Sequence, residues 1–261
     1  MPLSKPSERT KRLPPWLRVK LPKDKMFAET GRLLASRGLH TVCQSARCPN
    51  IFECFSRKVA TFMILGAICS RNCAFCNIDP GQPSPVDPDE PRRLAEAARE
   101  LGLRHVVVTS VTRDDLTDGG AGHFAAAIRA LKQNAGPDVV NHNVETVPRR
   151  YPEIRPQADY RQSLTLLSRV ASAGVPAKSG LMVGLGETDT EVNAVIRDLA
   201  EAGCSMVTVG QYLAPSRRHP EPDRYVPPAH FDEYAACGTH HGIPHMFCGP
   251  HVRSSYRAEK I

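Results

Sequence analysis

From residue 60 onward, short runs of apolar and β-branched residues alternate with longer stretches in which apolar positions recur every three to four residues. The runs predict strands over 60–65, 105–110, 139–145, 177–183 and 205–210. The amphipathic stretches predict helices over 91–101, 123–134, 161–173 and 190–202. Most of the runs are nearly continuous in apolar character, as in strands covered on both faces. Repetition of strand and helix implies parallel strands joined by right-handed crossovers, hence an α/β fold built as a partial (β/α) barrel. The reactive groups of such a barrel gather at the carboxyl ends of its strands. Upstream the pattern differs. Residues 1 to about 25 are rich in Pro and Lys and read as an extended arm. A helix is expected over 25–40, with Met26, Phe27, Leu33 and Leu34 as apolar positions and Gly38 as its stop. The chain is therefore expected to divide into 1–58 (arm, helix and a cysteine loop), 59–215 (barrel) and 216–261 (C-terminal extension).

Composition narrows the class. With 261 residues and 41% apolar content, the chain can bury one good-sized core. No apolar stretch approaches the roughly 18 residues of a membrane span, so no membrane role is expected. The formal charge of +7 is modest and comes with no nucleic-acid recognition motif, which excludes nucleic acid as the expected partner. The first residues are basic but lack an apolar signal core and contain several prolines, arguing against secretion.

Cysteine spacing carries the chemistry. Cys69, Cys73 and Cys76 form C-x3-C-x2-C directly after the strand over 60–65. Three thiolates on one loop can hold three irons of a 4Fe-4S cube and leave the fourth open to a small molecule. Soft thiolates also suit zinc, but no fourth Cys or His lies nearby to close a tetrahedral site. A second triplet, Cys43, Cys48 and Cys54, is spaced C-x4-C-x5-C. Neither triplet suits pairwise disulfides, so two clusters are expected, and the reduced thiols point to a cytoplasmic setting. Cys204, Cys237 and Cys248 have no partner spacing and read as small core residues, Cys248 keeping a chance of a site role.

The first triplet, with Phe75 before its last Cys, resembles the signature of the radical S-adenosylmethionine (SAM) enzymes. The two triplets together, the run Ala60 to Cys69 and the terminal Arg253-Ser-Ser-Tyr256 resemble the lipoyl synthase family within that superfamily. The resemblance extends over 109–120, Asn141-His-Asn143 with Glu145, 178–187 and 210–217. It implies that Cys69, Cys73 and Cys76 hold the cluster that cleaves SAM, and that Cys43, Cys48, Cys54 and Ser255 hold an auxiliary 4Fe-4S cluster. It further implies insertion of two sulfur atoms, at the sixth and eighth carbons of a protein-bound octanoyl group. The implied partners are an octanoylated lipoyl carrier and a reduced flavodoxin or ferredoxin-type electron donor.

The resemblance also marks candidate SAM contacts: Phe75, Gly119, Gly120, Asn143, Glu145 and Gly184. The residues themselves leave alternatives open. Gly119 and Gly120 equally suit a turn before a helix, and Asn141, Asn143 and Glu145 equally suit a polar strand end, on one face by alternation. His142 should point the other way, and the remaining histidines read as surface residues. Arg253 is a candidate for positioning a substrate carbonyl or supporting the auxiliary cluster, and Tyr256 for packing the tail. Lys178 and Ser179 either line the cavity or, as a strand-edge pair, meet solvent. One departure from the family stands out: only 135–138 connects the helix ending at Asn134 to the strand starting at Val139, so one βα unit is expected to be missing, leaving five core strands unless the later strands close the gap. Two rival readings follow: a catalytically impaired homologue that binds clusters or carrier domains, and another two-cluster radical SAM enzyme that inserts sulfur.

Overall fold

The computed structural model describes residues 13–18, 26–57, 59–103, 105–132 and 136–255. Most of the N-terminal arm and Tyr256 lie outside the described residues. The strands are β1 (His40–Thr41), β2 (Thr61–Ile64), β3 (Ile68–Cys69), β4 (Asp79–Pro80), β5 (Val107–Ser110), β6 (Val140–Asn141), β7 (Ala177–Val183), β8 (Cys204–Gln211) and β9 (His245–Gly249). The helices are α1 (Met26–Ser36), α2 (Val42–Ser45), α3 (Ile51–Ser56), α4 (Glu90–Leu101), α5 (Ala121–Lys132), α6 (Tyr151–Ile154), α7 (Tyr160–Ser172), α8 (Asp189–Glu201) and α9 (Pro228–His240).

Local chemistry sets several boundaries. Pro91 sits in the first turn of α4, and Gly102, at φ 66°, ends that helix in the left-handed region. Thr188 and Glu191 form a reciprocal capping box at the start of α8, satisfying backbone N–H groups the helix cannot. Asp159 caps α7 by accepting from the Gln162 N–H.

The barrel is built in two halves. β2 and β5 run parallel, with β1 antiparallel on the outer edge of β2. β6, β7, β8 and β9 form a second sheet, parallel throughout. Each half buries its own core. Phe62, Ile64, Leu94, Ala97 and Ala127 fill the space between β2, α4 and α5, whereas Leu181, Val183, Leu167, Ile196, Leu199 and Val209 pack the second sheet against α7 and α8. No hydrogen-bonded ladder joins β5 to β6 among the described residues. The interruption falls beside the short 135–138 connection, and the parallel strands number six, β2, β5 and β6 to β9, not the five expected, because β9 adds to the edge of β8.

The strand expected over 139–145 is ordered as a strand only at Val140–Asn141, yet the segment follows β7: the His142 and Glu145 N–H groups donate to the Lys178 and Gly180 carbonyls at 3.0 Å, and Glu145, at φ 65°, accepts from the Met182 N–H at 2.8 Å. A non-glycine residue in that region is strained and needs its surroundings to hold it there. Two elements escape the hydrophobic pattern. β9 contains no β-branched residue and becomes a strand by pairing along β8. α9 buries just Phe231, Tyr234 and Gly238, too few positions to print a clear helical period, and Gly238 lets it close upon Met246, whose side chain fills the space of any Cβ. Lys178 and Ser179 lie in a central strand and are buried, which corrects the solvated-edge alternative.

Candidate active site

The chain leaves β2 through Leu65 and Gly66, both at positive φ (67° and 95°), and this reversal launches the loop that carries Cys69, Cys73 and Cys76. Buried polar groups hold the reversal. The Leu65 N–H donates to Glu90 Oε2 at 2.8 Å, and Arg113 Nη1 donates to the Leu65 carbonyl at 3.0 Å. Glu90 in turn bonds His123 Nε2 at 2.8 Å, so His123 is an enclosed positioning residue, not the surface residue expected.

Around the loop, Cys69 Sγ accepts from the backbone N–H groups of Arg71 (3.4 Å) and Thr112 (3.3 Å), the arrangement that stabilises sulfur carrying negative charge. Phe75 and Ala74 pack on Ile154, Leu185 and Tyr212, pinning the loop to the end of the second sheet. His219 adds a tether no spacing announced: its Nε2 meets the Cys76 carbonyl at 3.0 Å while Nδ1 meets Ser216 Oγ at 2.9 Å. It too departs from the surface reading of the histidines. Burial pushes the Cys76 thiol up to about 11, and Cys73 and Cys69 push in the same direction. Burial also raises Cys73, against the pull of an Arg155 hydrogen bond. These thiols are thus protonated unless a metal's charge draws the protons off.

The second triplet meets the far end of the chain. Thr61 Oγ1 donates to Ser255 Oγ at 2.8 Å, which fixes the tail against β2, the strand that pairs with β1 just before Cys43. Asn50 Nδ2 donates to the His251 carbonyl at 2.7 Å, a second clamp between loop and tail. Arg253 is half-buried, its surroundings push its guanidinium below the ordinary range, and its charge is felt by both Cys48 and Glu145.

Within the barrel, Asn141, Asn143 and Glu145 form a chain: Asn141 Nδ2 donates to Asn143 Oδ1 (3.1 Å) and Asn143 Nδ2 to Glu145 Oε1 (3.0 Å). They share one face, and His142 turns outward to Ser163 on α7 at 3.0 Å. Burial raises the Glu145 carboxyl, while Arg155, Asn143 and Arg253 pull it back. Arg155, absent from the sequence-based candidates, donates to the carbonyls of Asn143 (3.2 Å) and Val144 (3.0 Å), and its buried Nε has no partner. Gly120, at φ 91°, lies against Leu65, and its N–H donates to Asp118 Oδ1 at 2.9 Å; Gly119 shares the positive φ. Gly184 has a packing reason of its own, since a Cβ there would lie 2.6 Å from the Arg224 carbonyl oxygen. Cys204 and Cys248 are raised to about 12 by burial, consistent with core thiols, and no cysteine is paired in a disulfide.

No group of three His, Cys, Asp or Glu side chains among the described residues converges on a point fit for a single metal ion. A 4Fe-4S cube makes a different demand, one thiolate per iron with the irons spread over its corners. The donor sets fit that demand. Cys69, Cys73 and Cys76 sit on one short loop with backbone N–H groups already facing Cys69, whereas the second triplet is not the plain loop expected: Cys43 lies in α2, Cys54 in α3 and Cys48 between them. Relatives bear on the same question. A model described as the radical SAM superfamily matches residues 63–134 and 127–199, and one described as the N-terminal domain of lipoyl synthase matches 2–48. In fold, the chain resembles Streptococcus suis SuiB bound to its precursor peptide (TM-score 0.52, 10% identity, 85% of this chain and 52% of that one). It likewise resembles methylornithine synthase (TM-score 0.50, 14% identity, 85% and 84%). Fold and cysteine loop together define a radical SAM protein.

Full-length relatives narrow the class. The lipoyl synthase of Nitratidesulfovibrio vulgaris strain DP4 is 60% identical, covering 95% of this chain and 92% of that protein. Those of Oleidesulfovibrio alaskensis (57%, covering 95% and 94%) and Caldanaerobacter subterraneus (50%, covering 96% and 97%) agree. The chain belongs to the lipoyl synthase family. The N. vulgaris alignment runs over 273 positions, more than the 261 residues of the whole chain, so this chain carries gaps relative to its relative. The two superfamily matches meet at 127–134, beside the interruption of the sheet.

Proposed function

We propose that this protein inserts two sulfur atoms into unactivated C–H bonds of a protein-bound octanoyl chain, at its sixth and eighth carbons. The observation that carries the reading is the double fastening of the C-terminal tail, Thr61 to Ser255 on β2 and Asn50, between Cys48 and Cys54, to the His251 carbonyl across 201 residues of sequence. Cys69, Cys73 and Cys76 are the residues to hold the SAM-cleaving 4Fe-4S cluster, and Cys43, Cys48, Cys54 and Ser255 the auxiliary one. When bound, the first cluster with SAM supplies a hydrogen-abstracting deoxyadenosyl radical and the second supplies sulfur; acid–base groups alone cannot activate such bonds. The residues of the chain bind and orient. Glu145 offers its carboxylate to the positive or hydroxyl groups of SAM, assisted by Asn143. Arg155 and Arg253 flank it as fixed cations for carboxylate or carbonyl oxygens. Phe75 holds its loop by apolar packing, Gly119 and Gly120 keep backbone close to the SAM amine, and Gly184 shapes the adenine side. No described helix is long and apolar enough to cross a membrane. The reducing cytoplasm is the setting we assign, with an octanoylated carrier as substrate and a reduced flavodoxin or ferredoxin-type protein as electron source.

A second reading has its own support in the open ladder between β5 and β6: a chain that binds clusters and carrier without turnover. Anaerobic reconstitution with SAM, reductant and an octanoylated carrier peptide separates the two. We expect 5'-deoxyadenosine and a product bearing two added sulfurs. Iron and sulfide without deoxyadenosine favours the second reading, and a methylthio product favours another two-cluster enzyme. Iron per chain should be about eight and fall toward four in Cys43→Ala, since separate thiolate sets hold separate cubes.

A further inference from the structure

A cavity of about 430 Å³ opens at the side of the barrel where β5 and β6 fail to pair. One wall is Arg71, tied to Asp114 beyond β5 at 2.8 Å; the other is the outer face of α7, beside β6. In a continuous barrel a strand and its helix would cover this region. Here the face is open: Leu166 is 42% exposed, one of few large apolar side chains so placed, and Arg169 beside it is exposed as well.

Charge and position together restrict what fits. Asp114 engages Arg71, and Asp159 accepts the Gln162 N–H at the start of α7. Arg155 and Arg169 have no carboxylate within ion-pair distance among the described residues, and the Arg155 Nε is buried without a partner. Arg71, Arg155 and Arg169 outnumber Asp159, the one carboxylate lining the cavity, so the mouth carries an excess of positive charge around an apolar side chain, a combination that recruits acidic protein surfaces and anchors them. Its inner wall reaches one cluster loop only. Arg71 lies between Cys69 and Cys73 in sequence, and the Ala74 N–H of the same loop donates to the carbonyl of Ile154, the neighbour of Arg155, at 2.9 Å. No residue lining the cavity belongs to the auxiliary loop or the C-terminal tail.

We infer that this lateral breach is the docking surface for an acidic one-electron donor protein, with Leu166 and Arg169 as its rim and Arg71 and Arg155 facing the Cys69–Cys76 loop. The inference rests on the radical SAM reading, in which each SAM cleavage consumes one electron: the donor is oxidised by one electron and the cluster is reduced by one. An octanoylated carrier is the poorer occupant, because its acyl chain must meet both clusters and this opening borders one.

The test uses the reconstituted protein with reduced flavodoxin as probe, comparing the unchanged chain with Arg169→Glu and Leu166→Ser. Both side chains are exposed, so neither change removes core packing. Two readouts are taken: flavodoxin affinity across a salt series, and 5'-deoxyadenosine formed with flavodoxin against that formed with dithionite. Arg169→Glu should weaken flavodoxin binding by about tenfold or more at low salt and less at high salt. Leu166→Ser should weaken it without changing the salt slope, and dithionite-driven cleavage should stay as it was. Equal flavodoxin affinity in all three proteins overturns the docking surface, as does weakened binding of an octanoylated carrier domain in place of flavodoxin. Absence of dithionite-driven cleavage in the unchanged chain is a separate result that strikes the radical SAM reading itself.

Discussion

Replacing Lys178 by Met should stabilise this protein at neutral pH. Lys178 is 3% exposed in the middle of the second sheet, and no carboxylate pairs with it among the described residues. Its Nζ lies 5.6 Å from the centroid of the Phe247 ring, and Asn141 is its register partner on β6. Burial lowers the amine from 10.5 to about 8. A folded-state value below the unfolded one means that folding disfavours the charged form: the cost is fully present below pH 8 and is relieved as pH rises from about 8 to 10.5. At 1.36 kcal/mol per unit, the shift corresponds to roughly 3 kcal/mol at pH 7. The ring contact that Met forgoes returns about 0.5 to 1 kcal/mol, leaving an expected gain of about 2 kcal/mol. Urea denaturation of the anaerobically reconstituted protein at pH 7 and pH 10 measures it. The midpoint should rise at pH 7, and the two proteins should converge toward pH 10. A variant no more stable at pH 7, or a gain that persists unchanged at pH 10, would refute the reasoning and place the ammonium in a solvated or paired environment.

Other positions give sharper local tests. Thr61→Val removes the hydroxyl that fastens Ser255 to β2; the loss is about 1 kcal/mol for the bond itself, and auxiliary-cluster iron should leave faster on anaerobic gel filtration. Iron retention equal to that of the unchanged chain would remove Thr61 from the site. Gly184→Ala places a Cβ 2.6 Å from the Arg224 carbonyl oxygen at a φ of 95°. Strain and overpacking together should cost about 3 kcal/mol, read as a lowered denaturation midpoint; a drop under about 1 kcal/mol means that the surrounding turn yields.

Much of this protein is written in local sequence. Strand and helix periods place β2, β5, β7, β8, α4, α5, α7 and α8, because burial on both faces of parallel strands demands unbroken apolar runs and amphipathic helices repeat every three to four residues. The two cysteine triplets declare themselves for a similar reason: ligands on one loop must be close in sequence. The alternation of Asn141, Asn143 and Glu145 also puts them on one face, as their serial hydrogen bonds display. What eluded the sequence is long-range. Arg155, His219 and Thr61 act by reaching loops that lie far from them along the chain, and no spacing rule announces a single such partner. β9 is a strand because β8 offers it an edge, not because its residues favour one.

The short connection over 135–138 shows where the division falls. Its brevity is legible in the sequence, since covalent continuity is a property of sequence. Whether neighbouring strands slide together to heal the gap depends on the balance between pairing two free edges and repacking two finished cores. Only the tertiary structure decides that, and it leaves β5 and β6 unjoined. Each half already buries its apolar face against its own helices, so closure would disturb close-packed side chains for the sake of a few backbone hydrogen bonds.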